Sequence, residues 1–214
     1  MKKALLILII ILIGQPSIGQ ELKTYFLELS DTGIGFTKSE IELMISNYLE
    51  GKNSMQNGIG NGKHYLSKYE PNNGYLSIIG AYEGSEAMTF WNVSDGSKLI
   101  GYTSEACGPI CDHNIIFYLK TKNHMTRLDL NHVLPTITLS DFMDVPAMKR
   151  DGIDVTQVAE SFYSTDLIYN LPSKGKNIIV ESQFNDLDVP SELGKYNLGW
   201  KIELVWNDGT FIKN

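Results

Sequence analysis

Closely spaced turns between Gly74 and Leu130 constrain the fold more than any other feature of the sequence. Short runs rich in β-branched and aromatic residues follow one another there, among them "GYLSIIGAY", "EAMTFWNV" and "NIIFYLK". Asp95-Gly96 and Lys122-Asn123 are turn signals that leave only a few residues between successive runs. Because parallel strands need connections of about a dozen residues or more, this stretch predicts five antiparallel strands in a meander.

The C-terminal part of the chain predicts further antiparallel strands. In "WKIELVW" the apolar residues Trp200, Ile202, Leu204 and Trp206 alternate with mainly polar ones, which indicates a strand with one buried face. The run "KNIIVESQF" precedes it, and Asn207-Asp208-Gly209 predicts a hairpin turn into "TFIKN".

The clearest helix signal begins at Thr37. Thr37 and Glu40 have the spacing of a capping box, and apolar residues follow at helical spacing up to Leu49. These features predict a helix over residues 38–50. A central helical segment is predicted from Ser140 onward and again over residues 154–163, whereas "LKTYFLELSDTG", before the first helix, is predicted to be a short strand.

Together these patterns predict an α+β fold: antiparallel β-meander sheets, with one N-terminal helix and a short central helical segment packed on one face. Residues 20–214 form a single domain in this prediction. Two similar sub-units, residues 20–147 and 153–214, are the alternative. A chain of this size buries enough apolar surface to fold without disulfides.

The first residues predict a signal peptide over residues 1–19. Lys2 and Lys3 precede an unbroken apolar run, Ala4 to Ile13, and Pro16 comes before the small residues of a cleavage site. The apolar run is about half of the ~20 residues that span a bilayer. We therefore expect an exported protein, periplasmic or secreted, with no membrane anchor after cleavage.

Charge and motifs exclude several classes of function. The formal net charge of −7 becomes −9 without Lys2 and Lys3, and no clustered Lys and Arg residues are available for phosphate contacts, so no nucleic acid is expected as a partner. The sequence contains no GxSxG elbow, HExxH motif or EF-hand loop. The prediction is a protein that is not an enzyme and that needs no cofactor.

The two cysteines, Cys107 and Cys111, carry the sharpest hypothesis. An exported protein lies where disulfides persist, and the intervening Gly108-Pro109 favours a turn. The preferred interpretation is a disulfide that staples a hairpin. "CGPIC" also resembles the thioredoxin motif, but it has three residues between its cysteines rather than two. The strand predicted after it offers no helix end to lower the pKa of a thiol.

The alternative is a soft-metal site formed by Cys107, Cys111 and His113. Two thiolates and an imidazole suit copper or zinc. The Cys-x3-Cys spacing resembles the copper sites of cytochrome oxidase subunit II and of its copper-delivery proteins. In the oxidase the histidine falls four residues after the second cysteine, whereas here it falls two residues after.

The meander strands also contain adjacent aromatic residues, Phe90-Trp91 and Phe117-Tyr118. Neighbours on a strand point to opposite faces, so a sheet covered on one side only would expose an aromatic surface. The sequence therefore predicts an exported, non-catalytic binding or interaction module whose ligand is an unknown protein or small molecule. These four aromatic residues are its expected ligand or partner surface.

Overall fold

The computed structural model describes residues 18–80, 84–107, 111–163, 167–183 and 191–214. Most of the predicted signal peptide and the Gly108-Pro109 turn lie outside these residues. Within the described ranges, no helix is both long and apolar enough to cross a membrane.

The first sheet has six antiparallel strands in sequence order and confirms the predicted meander. Its strands are β1 (Tyr65–Glu70), β2 (Tyr75–Ile79), β3 (Ser85–Asn92), β4 (Lys98–Cys107), β5 (Cys111–Lys120) and β6 (Met125–Arg127). Five of them follow the apolar runs recognised in the sequence. Strand β1 was not predicted, and it pairs with β2 through a register shift between Leu66 and Lys68.

A second, four-stranded antiparallel sheet lies in the C-terminal part, so the α+β class is confirmed. It contains β7 (Leu167–Asn170), β8 (Ile178–Ser182), β9 (Lys201–Asn207) and β10 (Thr210–Lys213), in the order β10-β9-β8-β7. The predicted turn between β9 and β10 has positive φ at both Asp208 (43°) and Gly209 (100°). Two central residues with positive φ match the right-handed twist of a tight hairpin.

Two N-terminal helices cover one face of the first sheet. Helix α1 (Ile18–Leu29) replaces the strand predicted in this segment, and α2 (Lys38–Leu49) is the predicted helix. The capping box is present: the Thr37 amide donates to Glu40 Oε2 over 2.8 Å, and the Glu40 amide donates to Thr37 Oγ1 over 3.3 Å.

Helix α1 was mispredicted because its apolar stripe was not recognised. Leu22, Tyr25, Phe26 and Leu29 fall at i, i+3, i+4 and i+7, and all four are buried. They share a core with α2 and with strand residues of the first sheet such as Met88.

A second core fills the space on the opposite face of the first sheet. Trp91 and Phe117 of the first sheet pack there against Phe211 of β10, and the Trp91 ring stacks on Trp206 with centroids 5.7 Å apart. The central helices α3 (Leu130–Val133), α4 (Val145–Arg150) and α5 (Val155–Tyr163) supply further members of this core.

The first sheet is therefore covered on both faces, by α1 and α2 on one side and by the second core on the other. The sequence predicted helices on one face only. Residues from both sides of the predicted sub-unit boundary share the second core, while the division into one domain or two stays a prediction.

Candidate functional site

The predicted aromatic ligand surface is not available, because both faces of the first sheet are covered. Trp91, Phe117 and Tyr118 are 3%, 1% and 4% exposed. Phe90 is half-buried and packs edge-on against Tyr25 of α1, with ring centroids 5.2 Å apart. Phe90, Trp91 and Phe117 hold the layers together, and the binding role assigned to these three side chains is corrected to a packing role. Tyr118 belongs to the core beside the N-terminal helices and also borders a cavity on that face.

The two cysteines close the hairpin between β4 and β5. Cys107 and Cys111 lie directly opposite each other in the strand register, and their sulfurs are bonded. Cys111, His113 and Glu105 place ligand-type atoms within 4.8 Å of one another. While the disulfide is present, Cys111 has no thiolate to offer a metal, so the predicted metal set is incomplete in this state.

Beside the disulfide, three strands place a polar side chain at the same level on one face. Ser85, Glu105 and His113 are direct cross-strand neighbours on β3, β4 and β5. Ser85 Oγ donates a hydrogen bond to Glu105 Oε2 over 2.7 Å, and Glu105 Oε1 lies 3.5 Å from His113 Nε2. The His113 side chain is only 8% exposed. The carboxylate therefore stands between the serine and the histidine.

This row lines a cleft of about 280 Å³ between the first sheet and strand β7, which we call the inter-sheet cleft. Its walls carry many hydroxyl groups: Ser67, Ser77, Ser85 and Thr103 on the first sheet, with Tyr75 and Tyr169. Ser67 Oγ and Ser77 Oγ are hydrogen-bonded at 2.7 Å. Burial raises the pKa of Tyr169, so its phenol remains a neutral donor and acceptor at physiological pH.

The opposite face of the same strands carries a second polar row, Glu86, Ser104 and Asn114. The three residues line two cavities, of about 320 and 350 Å³, on the side of the sheet where the N-terminal helices lie. We call these two cavities the helix-side groove. Burial raises the pKa of Glu86 to about 7. The buried Glu86 Oε2 and Tyr102 hydroxyl have no hydrogen-bond partner among the described residues.

Neither row was predicted as a site from the sequence. The signal for the second row was present in "EAMTFWNV", where Glu86 is in phase with Met88 and Phe90. A carboxylate in the buried phase of a strand is unusual. The first row carried no signal of its own, because its members come from three strands whose relative register is set by the fold.

The chain is similar in fold to a structurally known domain from another protein. No protein-family model matches the chain, and no curated protein matches it. A domain of an uncharacterised protein from Porphyromonas gingivalis W83 superposes with a TM-score of 0.66 at 17% sequence identity. The match covers 91% of this chain and 98% of that domain. At this level of identity the similarity supports the α+β fold alone.

Proposed function

We propose that the protein is an exported, non-catalytic binding module that holds a small polar ligand in the inter-sheet cleft. The observation that carries the proposal is the density of hydroxyl groups around the Glu105 carboxylate in this cleft. Each hydroxyl both donates and accepts hydrogen bonds, and tyrosine rings provide apolar contact. This chemistry suits a ligand with several hydroxyl groups, and the cleft is close to the lower limit of about 300 Å³ for small-molecule sites.

The order of the polar row supports binding without catalysis. A serine nucleophile needs a histidine within hydrogen-bond distance to take its proton, and the carboxylate must orient that histidine from the other side. Here Ser85 donates to Glu105 instead, and His113 lies beyond the carboxylate. A serine held by a carboxylate is positioned as a hydrogen-bonding group rather than activated as a nucleophile.

Export to the periplasm or the medium is proposed from two features. The first is the leader predicted over residues 1–19, and the second is the Cys107–Cys111 disulfide, which persists in oxidising compartments. The acidic chain is not expected to bind nucleic acid. A small-molecule ligand fits the cleft, and a protein presenting a polar segment there is the other expected partner.

The binding proposal is tested by ligand-observed NMR with mono- and disaccharides, and with free amino acids as a second panel. We expect at least one sugar to bind the protein and to lose its binding in Glu105→Gln. Glu160→Gln, the same change at an exposed position on α5, is the matched control and should bind as the wild type does. A sugar that binds both variants equally would overturn the assignment of the cleft. Turnover of a bound ligand that is abolished by Ser85→Ala would overturn the non-catalytic role.

A soft-metal function in the reduced protein is the second candidate. It is favoured by the closeness of Cys111, His113 and Glu105, because reduction would free both thiols beside an imidazole. Alkylation followed by intact-mass measurement counts the free thiols before and after reduction. Protection of Cys107 and Cys111 by Cu(I) or Zn(II) in the reduced protein would support metal binding. Full alkylation in the presence of metal would refute it.

A further inference from the structure

The helix-side groove contains two polar atoms that have no hydrogen-bond partner among the described residues. They are Glu86 Oε2 and the Tyr102 hydroxyl, and both are buried. Tyr102 is 3% exposed, and together with Glu86 it lines the cavity of about 320 Å³. Buried polar groups are almost always hydrogen-bonded in folded proteins, because an unmade bond destabilises the fold. Two such groups at one cavity can be hydrogen-bonded by water or by a polar ligand that enters the cavity.

The charges around Glu86 indicate what kind of ligand the groove would take. Burial raises the pKa of Glu86, and no cation among the described residues contributes to the shift. Arg127 lines the same cavity but is exposed. The other cavity of the groove is lined by Asp112, which adds negative charge, and by His64, whose pKa is lowered by burial. The carboxyl groups of Glu86 and Asp112 therefore favour a cation as the ligand of the groove.

The walls of the groove fit a cation that is carried on an aliphatic chain. Ile34, Ile116 and the Tyr118 ring line the cavity beside the polar atoms. Gly33 and Gly35 form part of the wall, and a Cβ atom at either would meet no other atom within 4 Å. The apolar side chains can hold methylene groups, and aromatic rings attract an ammonium group.

We propose that the helix-side groove binds an alkylammonium group, with the Glu86 carboxylate as its counter-ion and the Tyr102 hydroxyl as a second acceptor. The ammonium group belongs either to a free amine or to a lysine side chain of a peptide. The Glu86 and Glu105 side chains point to opposite faces of the first sheet, while Glu86, Ser104 and Asn114 border both the groove and the inter-sheet cleft. This proposal goes beyond the proposed function, and the separate variants Glu86→Gln and Glu105→Gln distinguish the failure of one from the failure of the other.

The affinity of the groove for an ammonium group rises with pH. The ammonium group pairs with ionised Glu86, and a carboxyl with a pKa of about 7 is mostly protonated at pH 5.5 and mostly ionised at pH 8. The ionised fraction grows about 30-fold over this range, while an alkylammonium with a pKa near 10.4 stays charged throughout. A neutral ligand that bonds protonated Glu86 would show the opposite trend.

The test measures binding of two cationic probes, 1-aminopentane and Nα-acetyl-lysine amide, to the ¹⁵N-labelled protein by NMR titration. Nα-acetyl-norleucine amide is the neutral control probe. We expect at least one of the cations to bind in the millimolar range and to shift the amide signals of Glu86 and Ser104. Its affinity should be up to about 30-fold higher at pH 8 than at pH 5.5. The neutral probe should not bind.

Matched variants separate the groove from general attraction to an acidic surface. Glu86→Gln should weaken the binding at least tenfold and remove its pH dependence, and Tyr102→Phe should weaken it less and keep the pH dependence. Glu42→Gln, at an exposed position on α2, should bind as the wild type does. Tighter binding of the lysine probe than of the amine identifies a peptide as the source, and the reverse identifies a free amine. Equal binding to wild type and Glu86→Gln, or a preference for the neutral probe, would overturn the proposal.

Discussion

Replacing Glu86 by glutamine is expected to remove one specific pH dependence from the stability of the protein. In the folded protein, burial raises the pKa of Glu86 from its ordinary value of 4.5 to about 7. The folded state therefore holds this proton more tightly than the unfolded state does. The resulting stabilisation is complete below pH 4.5 and is lost as the pH rises through 7. At about 1.4 kcal/mol for each pKa unit, the loss amounts to about 3 kcal/mol.

Urea unfolding followed by tryptophan fluorescence at several values between pH 4 and pH 8 measures this loss. The informative quantity is the unfolding free energy of Glu86→Gln minus that of the wild type, because the other titrating groups are common to both proteins and cancel. We expect this difference to be close to zero or slightly negative at pH 4 and to increase by about 3 kcal/mol by pH 8. Glu42→Gln should show no such trend.

A difference between Glu86→Gln and wild type that stays constant from pH 4 to pH 8 would refute the reasoning. It would mean that Glu86 titrates alike in the folded and unfolded chains. Solvent or a cation would then have to reach its carboxylate, and the argument for Glu86 as the counter-ion of a bound ammonium group would fall with it.

Three further substitutions test the packing described above. The double change Cys107→Ser/Cys111→Ser should lower the unfolding free energy by only about 2 kcal/mol, since the bridge closes a short loop; failure to fold would contradict this. Gly101→Val should lower the free energy of unfolding, measured with urea, by about 1–3 kcal/mol, because even a Cβ atom there would lie 3.0 Å from the Trp91 ring. Unchanged stability would argue against the close packing. Asp208→Ala should lower the melting temperature by an amount equivalent to about 1 kcal/mol, since Asp208 Oδ1 accepts from the Ser94 amide over 2.7 Å; an unchanged temperature would show that this contact adds nothing.

The elements that the sequence predicted correctly are those whose signals are local. The capping box of α2 and the Asp208-Gly209 turn each involve a few neighbouring residues, and both are present in the structure. The meander was predictable because short connections leave antiparallel pairing as the only arrangement. Helix α1 was missed although its stripe from Leu22 to Leu29 is complete, because aromatic residues such as Tyr25 and Phe26 are also typical of strands.

The position of a site could not be predicted in the same way, because it depends on how many layers cover the sheet. The adjacent aromatic pairs were interpreted as one buried and one exposed residue. Apolar residues at consecutive strand positions instead indicate a sheet that is buried on both faces, as the buried neighbours Phe117 and Tyr118 show. In a sheet that is covered on both faces, a site is indicated by polar residues at strand positions that point into a core. Glu86 is the clearest of these residues.

The disulfide joins the ends of β4 and β5, the two strands that carry members of both polar rows. Its position affects the register of these strands as well as the stability of the protein. Successive residues of β4 and β5 point to opposite faces, so Ser104 and Asn114 face the helix-side groove, while Glu105 and His113 face the inter-sheet cleft. A slip of one residue in the pairing of these strands would exchange the two faces. The Cys107–Cys111 bond lies two residues beyond the Glu105–His113 pair and excludes that slip. It therefore reinforces the register on which both proposed sites depend and which the ten paired positions of β4 and β5 set.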